Sequence, residues 1–248
     1  MPTRHEEDID DPRRAFLVRA LSLGWLAGGA GWQLDALAGP LTDVFGALPA
    51  RLPTGRSIFR IDGQVWVDGK PATRDTVIGD DALIRTADDA SLVGVVGQDA
   101  LILRGRSELQ LSGARTAKRV FRLVTGAMLA VFGRREQTLD IQTPTATIGI
   151  RGTGVYTEAD EEKTYVCTCY GRTSIGAADD PAISETVTAQ HHDAPRWVLA
   201  RPQNGRRIIP AAFQWHTDLE LMTLEALVGR QVPFGLEDMD YRGPRREY

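Results

Sequence analysis

Two cysteines and a histidine pair carry most of the chemistry this sequence could perform. Cys167-Thr168-Cys169 lies in an apolar, strand-like stretch at residues 164–170. The two-residue period of a strand places both thiols on one face, less than about 7 Å apart along the chain. His191 and His192 close the next expected strand, residues 186–190, after a loop at 176–184 rich in small and acidic residues. If these two strands lie side by side, imidazole nitrogen approaches thiol sulfur. A Cys2His or Cys2His2 set suits Zn²⁺, and thiolate with imidazole also suits iron or copper. Adjacent histidines face opposite sides of a continuing strand, so both join the thiols only if the chain turns at His192, a turn that Pro195 downstream favours. Two other readings stand beside the metal. The thiols could pack as small apolar groups, or outside the cytoplasm they could form a redox pair or bridge near the upper limit of disulfide reach. His216 reads as a helix-entry residue that could supply a further ligand.

Other catalytic patterns are missing from the sequence. It has no Gly-x-Ser-x-Gly elbow, no His-Glu-x-x-His, no phosphate-binding loop and no glycine-rich turn opening a helix. The acidic pairs Asp88-Asp89, Glu161-Glu162 and Asp179-Asp180 fall in expected turns and read as solvated turn charges. The expectation is a protein that is not an enzyme. A formal net charge of −4 over 248 residues gives no basic footprint for nucleic acid.

The elements that must position the thiols and imidazoles are strands. Two alternating runs, 57–61 and 64–67, are each closed by Asp-Gly, a strong hairpin signal. Short strands are then expected at 76–78, 82–86, 91–96, 101–104, 108–111, 120–123, 127–131, 139–142, 146–150, 155–157, 165–170 and 173–175. Their regular spacing, with no helix between them, gives an all-β fold class: an array of short strands, β-solenoid or sandwich-like. One amphipathic helix follows, at 217–229. Thr217-Asp218-Leu219-Glu220 has the form of a capping box, Leu219, Met222, Leu224, Leu227 and Val228 form its apolar face, and Gly229 is a natural stop.

The N-terminus reads as an export signal. Arg13, Arg14, Phe16 and Leu17 match the Arg-Arg-x-Phe-Leu core of the twin-arginine signal, an apolar run follows from Ala20 to Trp32, and Ala36-Leu37-Ala38 offers a small-x-small cleavage site. The run is about 13 residues, short of the roughly 20 that span a membrane. The expected organisation is a signal peptide at 1–38, a proline-punctuated linker at 39–56, a β-domain at 57–200 and a C-terminal extension at 201–248 carrying the helix.

Residues 76–175 resemble the FecR family of exported domains. The resemblance rests on Leu83-Ile84-Arg85-Thr86, residues 92–96, 100–104 and 123–128, the strand Thr143-Pro144-Thr145-Ala146-Thr147-Ile148-Gly149-Ile150, and the corner Arg151-Gly152-Thr153. The last two are the most specific, and the Gly152-Thr153 corner is read as structural, with glycine allowing a positive φ. The resemblance implies an all-β domain outside the cytoplasm, related to the sensory part of regulators that pass a signal from an outer-membrane receptor to a sigma factor. With only about a dozen residues ahead of the export signal, a complete anti-sigma regulator is not expected. The expectations are therefore a periplasmic binding or signalling module whose partner is an envelope or periplasmic protein, with membrane contact only through an uncleaved signal. The alternative is a metal-, haem- or thiol-redox protein using Cys167, Cys169, His191 and His192, with zinc or iron as the ion.

Overall fold

The computed structural model describes residues 48–113 and 116–234. Arg13, Arg14, Phe16, Leu17, Ala36 and Ala38, with the first part of the linker and the tail from residue 235, lie outside the described residues.

Among the described residues fourteen strands form one large open sheet: β1 (Ile58–Asp62), β2 (Val65–Val67), β3 (Lys70–Pro71), β4 (Leu83–Thr86), β5 (Ser91–Val96), β6 (Asp99–Leu103), β7 (Glu108–Ser112), β8 (Lys118–Val131), β9 (Thr138–Gln142), β10 (Ala146–Ala159), β11 (Lys163–Ala177), β12 (Ser184–Ala189), β13 (Arg196–Gln203) and β14 (Arg206–Pro210). Among the described residues a single helix, α1 (Asp218–Leu227), follows. The all-β class with one helix after the strands is therefore the architecture of the described residues. No helix among the described residues is long and apolar enough to cross a membrane.

Three strands are longer than the sequence pattern suggested, because glycines expected to end strands instead bend them. Gly126 in β8, Gly152 in β10 and Gly171 in β11 have φ of 90°, 57° and 89°, where a side chain is strained. At Gly171 a Cβ would sit 2.5 Å from the Thr153 side chain, so the bends of β10 and β11 nest against each other. Each long strand changes partners along its length. β8 pairs with β7 and then β6 on one edge, and with β9 (parallel) and then β10 on the other. β11 pairs through Lys163–Val166 with β13 and through Gly171–Gly176 with β12.

Because side chains alternate across a strand, the sheet serves two cores. Leu101, Leu103, Met128, Ala130, Val155 and Val166 face the main core, with Phe121, Ile141 and Ile148. Their neighbours Ala100, Ile102, Leu129, Val131, Tyr156, Tyr165, Cys167 and Cys169 face the second core, which α1 covers with Leu221, Leu224 and Leu227. The buried stripe of α1 is set by Leu221 as much as by the expected face, and Leu219 and Met222 are only half-buried.

Two strand expectations differ from the fold. Residues 76–78 form no strand: a turn in which Thr76 Oγ1 accepts from the Thr73 amide leads into them, and Val77 is left 62% exposed. The β13–β14 hairpin extends the sheet beyond residue 200, closing on Asn204 and Gly205, both with positive φ. Thr143 and Thr145 share hydrogen bonds of 2.7 Å with Thr164 on β11, and Thr145 also donates to the Val198 carbonyl on β13. The Thr143-Pro144 turn thereby ties β10 to the strand that carries both cysteines.

Candidate metal centre

Cys167 and Cys169 lie at the seam of β11, where its outer edge has left β13 and not yet met β12. The loop from β12 to β13 crosses this gap, and the His192 amide donates to the Cys169 carbonyl at 2.9 Å. His192 has φ of 55°, a backbone state uncommon for a residue with a Cβ. The turn expected at His192 is thus present, and it points the His192 ring at the thiols while His191 goes elsewhere. On the far side, Trp215 has φ of 61° and directs the next residue, His216, inward just before Thr217 caps α1. The capping box is complete: Thr217 Oγ1 accepts from the Glu220 amide, and Glu220 accepts from the Thr217 amide at 3.0 Å.

Four donors converge: Cys167 Sγ, Cys169 Sγ, one His192 nitrogen and one His216 nitrogen, all within 4.8 Å of one another and all buried. Cys167 Sγ is 3.6 Å from His192 Nδ1, Cys169 Sγ is 3.3 Å from His216 Nε2, and His192 Nδ1 is 3.0 Å from His216 Nε2. Both cysteines are free thiols. Of the four residues singled out in the sequence, Cys167, Cys169 and His192 come together. His191 lies outside the four-donor group, with its Nε2 2.8 Å from Asp218 Oδ1. The fourth position belongs to His216, 47 residues from Cys169 in the chain.

The outer nitrogen of each inward histidine meets an acceptor. His192 Nε2 donates to Asp218 Oδ1 at 3.0 Å, and His216 Nδ1 donates to the Gln214 carbonyl at 2.7 Å. With those protons placed, His192 Nδ1 and His216 Nε2 both turn lone pairs inward, so a proton or a cation must lie between or beside them. This is the arrangement that orients metal-bound histidines. Aromatic rings close the surround: Tyr156 stacks on His216 at 4.7 Å, and Phe213 lies 4.7 Å from His192 and 4.6 Å from His216.

The charges agree with this geometry. Burial alone would raise the Cys167 thiol, but hydrogen bonds with Cys169, His192 and His216 outweigh it and hold the group well below the usual thiol range. Burial, and then the adjacent Cys167, push Cys169 well above that range. Burial alone would lower the His192 imidazole; the hydrogen bonds to Asp218 and Cys167 outweigh it, and its pKa is pushed up to about 9. Burial would raise Asp218, yet His192 and His191 hold it below the ordinary carboxylate value. The directions agree with one another: Cys167 and Asp218 are shifted toward their negative forms and His192, between them, toward its positive form.

Two crystal structures of a protein described as a "putative anti-sigma factor" from Parabacteroides distasonis ATCC 8503 resemble the chain with a TM-score of 0.44 and 11% identity, over 52% of this chain and 58% of that one. The aligned part thus spans little more than half the length of that protein. No curated protein matches. Residues 82–172 match the family model described as FecR protein, so the two cysteines fall inside the matched stretch and the two inward histidines after it.

Proposed function

We propose that this chain is an exported FecR-type β-module that works by binding in the cell envelope rather than by catalysis, and that one Zn²⁺ ion held by Cys167, Cys169, His192 and His216 fastens its C-terminal extension to the β-domain. The observation that carries the metal reading is the shape of the donor set. A tetrahedral zinc ion with bonds of about 2.3 Å to sulfur and about 2.05 Å to nitrogen separates S from N by about 3.55 Å and N from N by about 3.35 Å. The distances are 3.6 Å for Cys167–His192 and 3.3 Å for Cys169–His216, two of the four S–N pairs, and 3.0 Å for the N–N pair. These three pairs lie within about 0.4 Å of tetrahedral spacing, and all four donor atoms lie within 4.8 Å of one another.

Four protein donors leave no coordination position for substrate or water, the mark of a structural rather than a catalytic zinc. The same closeness disfavours haem, whose two axial donors stand on opposite faces of a macrocycle; these four close on a point. Support for the module itself comes from the FecR match across β4–β11, and support for its export comes from the arginine pair at Arg13 and Arg14.

Elemental analysis of protein purified from its native export route tests the metal reading. One equivalent of zinc is expected in the wild type and a loss of it in the Cys167→Ser/Cys169→Ser variant. Metal-free protein in both cases rejects it. The binding role predicts that affinity capture from an envelope fraction returns one protein in stoichiometric amount, and capture at background level counts against it.

A further inference from the structure

The four donors belong to three segments that enclose one another. Cys167 and Cys169 sit on β11, His192 in the loop after β12, and His216 in the stretch that leads into α1. That last stretch is the cover. Phe213 lies across both inward histidines, and Asp218 in the first turn of α1 caps the outer side of His192. The exposures of the donor residues are 0% for both cysteines and 4% for both histidines. A hydrated ion therefore has no donor to touch first while the cover is seated.

The cover is held down at points away from the donors. Leu221, Leu224 and Leu227 are buried on the face formed by Ala100, Ile102, Leu129 and Val131. Arg104 pairs with Glu220 at 2.8 Å, Tyr170 donates to the buried Glu225 carboxylate, and Arg230 donates to the Gln98 carbonyl at 2.7 Å. The Leu52 amide donates to the Leu227 carbonyl at 2.9 Å, fastening the far end of the helix.

Resting on the zinc reading above, we infer that metal exchange and seating of the C-terminal cover, residues 211–234, are a single gated event. The ion enters and leaves only when the cover lifts, and the bound ion holds the cover on the sheet. By linkage, whatever loosens the cover speeds metal release, and loss of metal favours the lifted state, in which the apolar face of Ala100, Ile102, Leu129 and Val131 is uncovered. The centre is then a clasp whose kinetics are set by helix packing 221–227 rather than by ligand chemistry alone.

The test uses the full chain refolded with Co²⁺, whose thiolate charge-transfer band reports coordination, followed by transfer of the metal to excess chelator. Gating predicts a release rate that stays constant over a tenfold range of chelator concentration. Leu224→Ala, which touches no donor, should speed release by on the order of 30-fold or more, given the usual cost of emptying a buried leucine site. Arg104→Gln, a milder change that keeps the apolar packing, should speed it several-fold. A rate that rises in proportion to chelator, or release unchanged in both variants, overturns the gating. Refolded protein that shows no thiolate band with Co²⁺ rejects the metal reading itself, whatever the kinetics of the helix.

Discussion

Replacing Cys169 by serine separates a metal ligand from a packed thiol. Cys169 is fully buried, its Sγ lies 3.3 Å from His216 Nε2, and it also points toward the Cys167 carbonyl at 3.7 Å. Serine is nearly isosteric and its hydroxyl can donate to that same carbonyl. In the metal-free protein the substitution should therefore cost about 1 kcal/mol, the scale of one adjusted hydrogen bond. In the zinc-loaded protein it removes one of four donors. An ion present at a hundred to a thousand times its Kd adds about 2.7–4.1 kcal/mol to the folded state. For a domain of this size each kcal/mol corresponds to about 2–4 °C in Tm, so losing the ion lowers Tm by roughly 5–15 °C. The assay is thermal unfolding of wild type and Cys169→Ser, each with zinc and with chelator. A gap of roughly 5–15 °C with zinc, shrinking to a few degrees with chelator, is expected. Equal gaps under both conditions would refute the reasoning, since a thiol that only packs does not respond to chelator.

Four further outcomes follow from the same geometry. His192→Ala and His216→Ala should each abolish stoichiometric zinc, whereas His191→Ala, whose imidazole meets Asp218 outside the donor set, should keep it; elemental analysis of the three variants decides. For the metal-free protein, the His192 pKa of about 9 lies above its unfolded value of about 6.5, so its stabilising contribution is complete below about pH 6.5 and lost as pH rises through 9. The zinc-loaded protein should respond in the opposite direction, losing its ion as falling pH protonates the thiolates, and chemical denaturation of both forms between pH 5 and 9 tests the contrast. Thr217→Ala removes the cap of α1 and should cost about 1 kcal/mol, measured as a matching fall in denaturation midpoint. Arg13-Arg14→Lys-Lys should stop export of the mature protein, and undiminished export in a fractionation assay would make the arginine pair incidental.

The sequence carried the local part of the site and not its closure. Period-two alternation placed Cys167 and Cys169 on one face, and they share it with Tyr165 in the second core. The Thr-x-x-Glu capping box placed the start of α1, because that signal is complete within four residues. The choice of His192 over His191 depended on a positive φ at a residue that is not glycine. Composition gives no sign of such a backbone state, although Pro195 hinted at the turn. His216 read first as a helix-entry residue and only second as a further ligand. Its role comes from the sheet folding so that a residue 47 positions after Cys169 returns to it, which no spacing rule encodes. The only local signal was its place directly ahead of a strong cap, where a buried His next to a helix N-terminus has a fixed direction.

The same distinction explains the strands. Glycines at 126, 152 and 171 looked like breaks because glycine weakens an isolated strand. In the fold they are pivots, and the ladders continue through or around them because neighbouring strands supply the hydrogen bonds. The β13–β14 hairpin was missed: Asn204-Gly205 is a strong two-residue turn signal, but the arginines and prolines around it hide the alternation.

The most direct test of the zinc clasp is X-ray absorption at the zinc edge on protein purified from its export route. Two sulfur scatterers at about 2.3 Å and two imidazole nitrogens at about 2.0 Å are expected, one ion per chain. A shell of oxygen and nitrogen alone, or zinc far below one equivalent, would contradict the account.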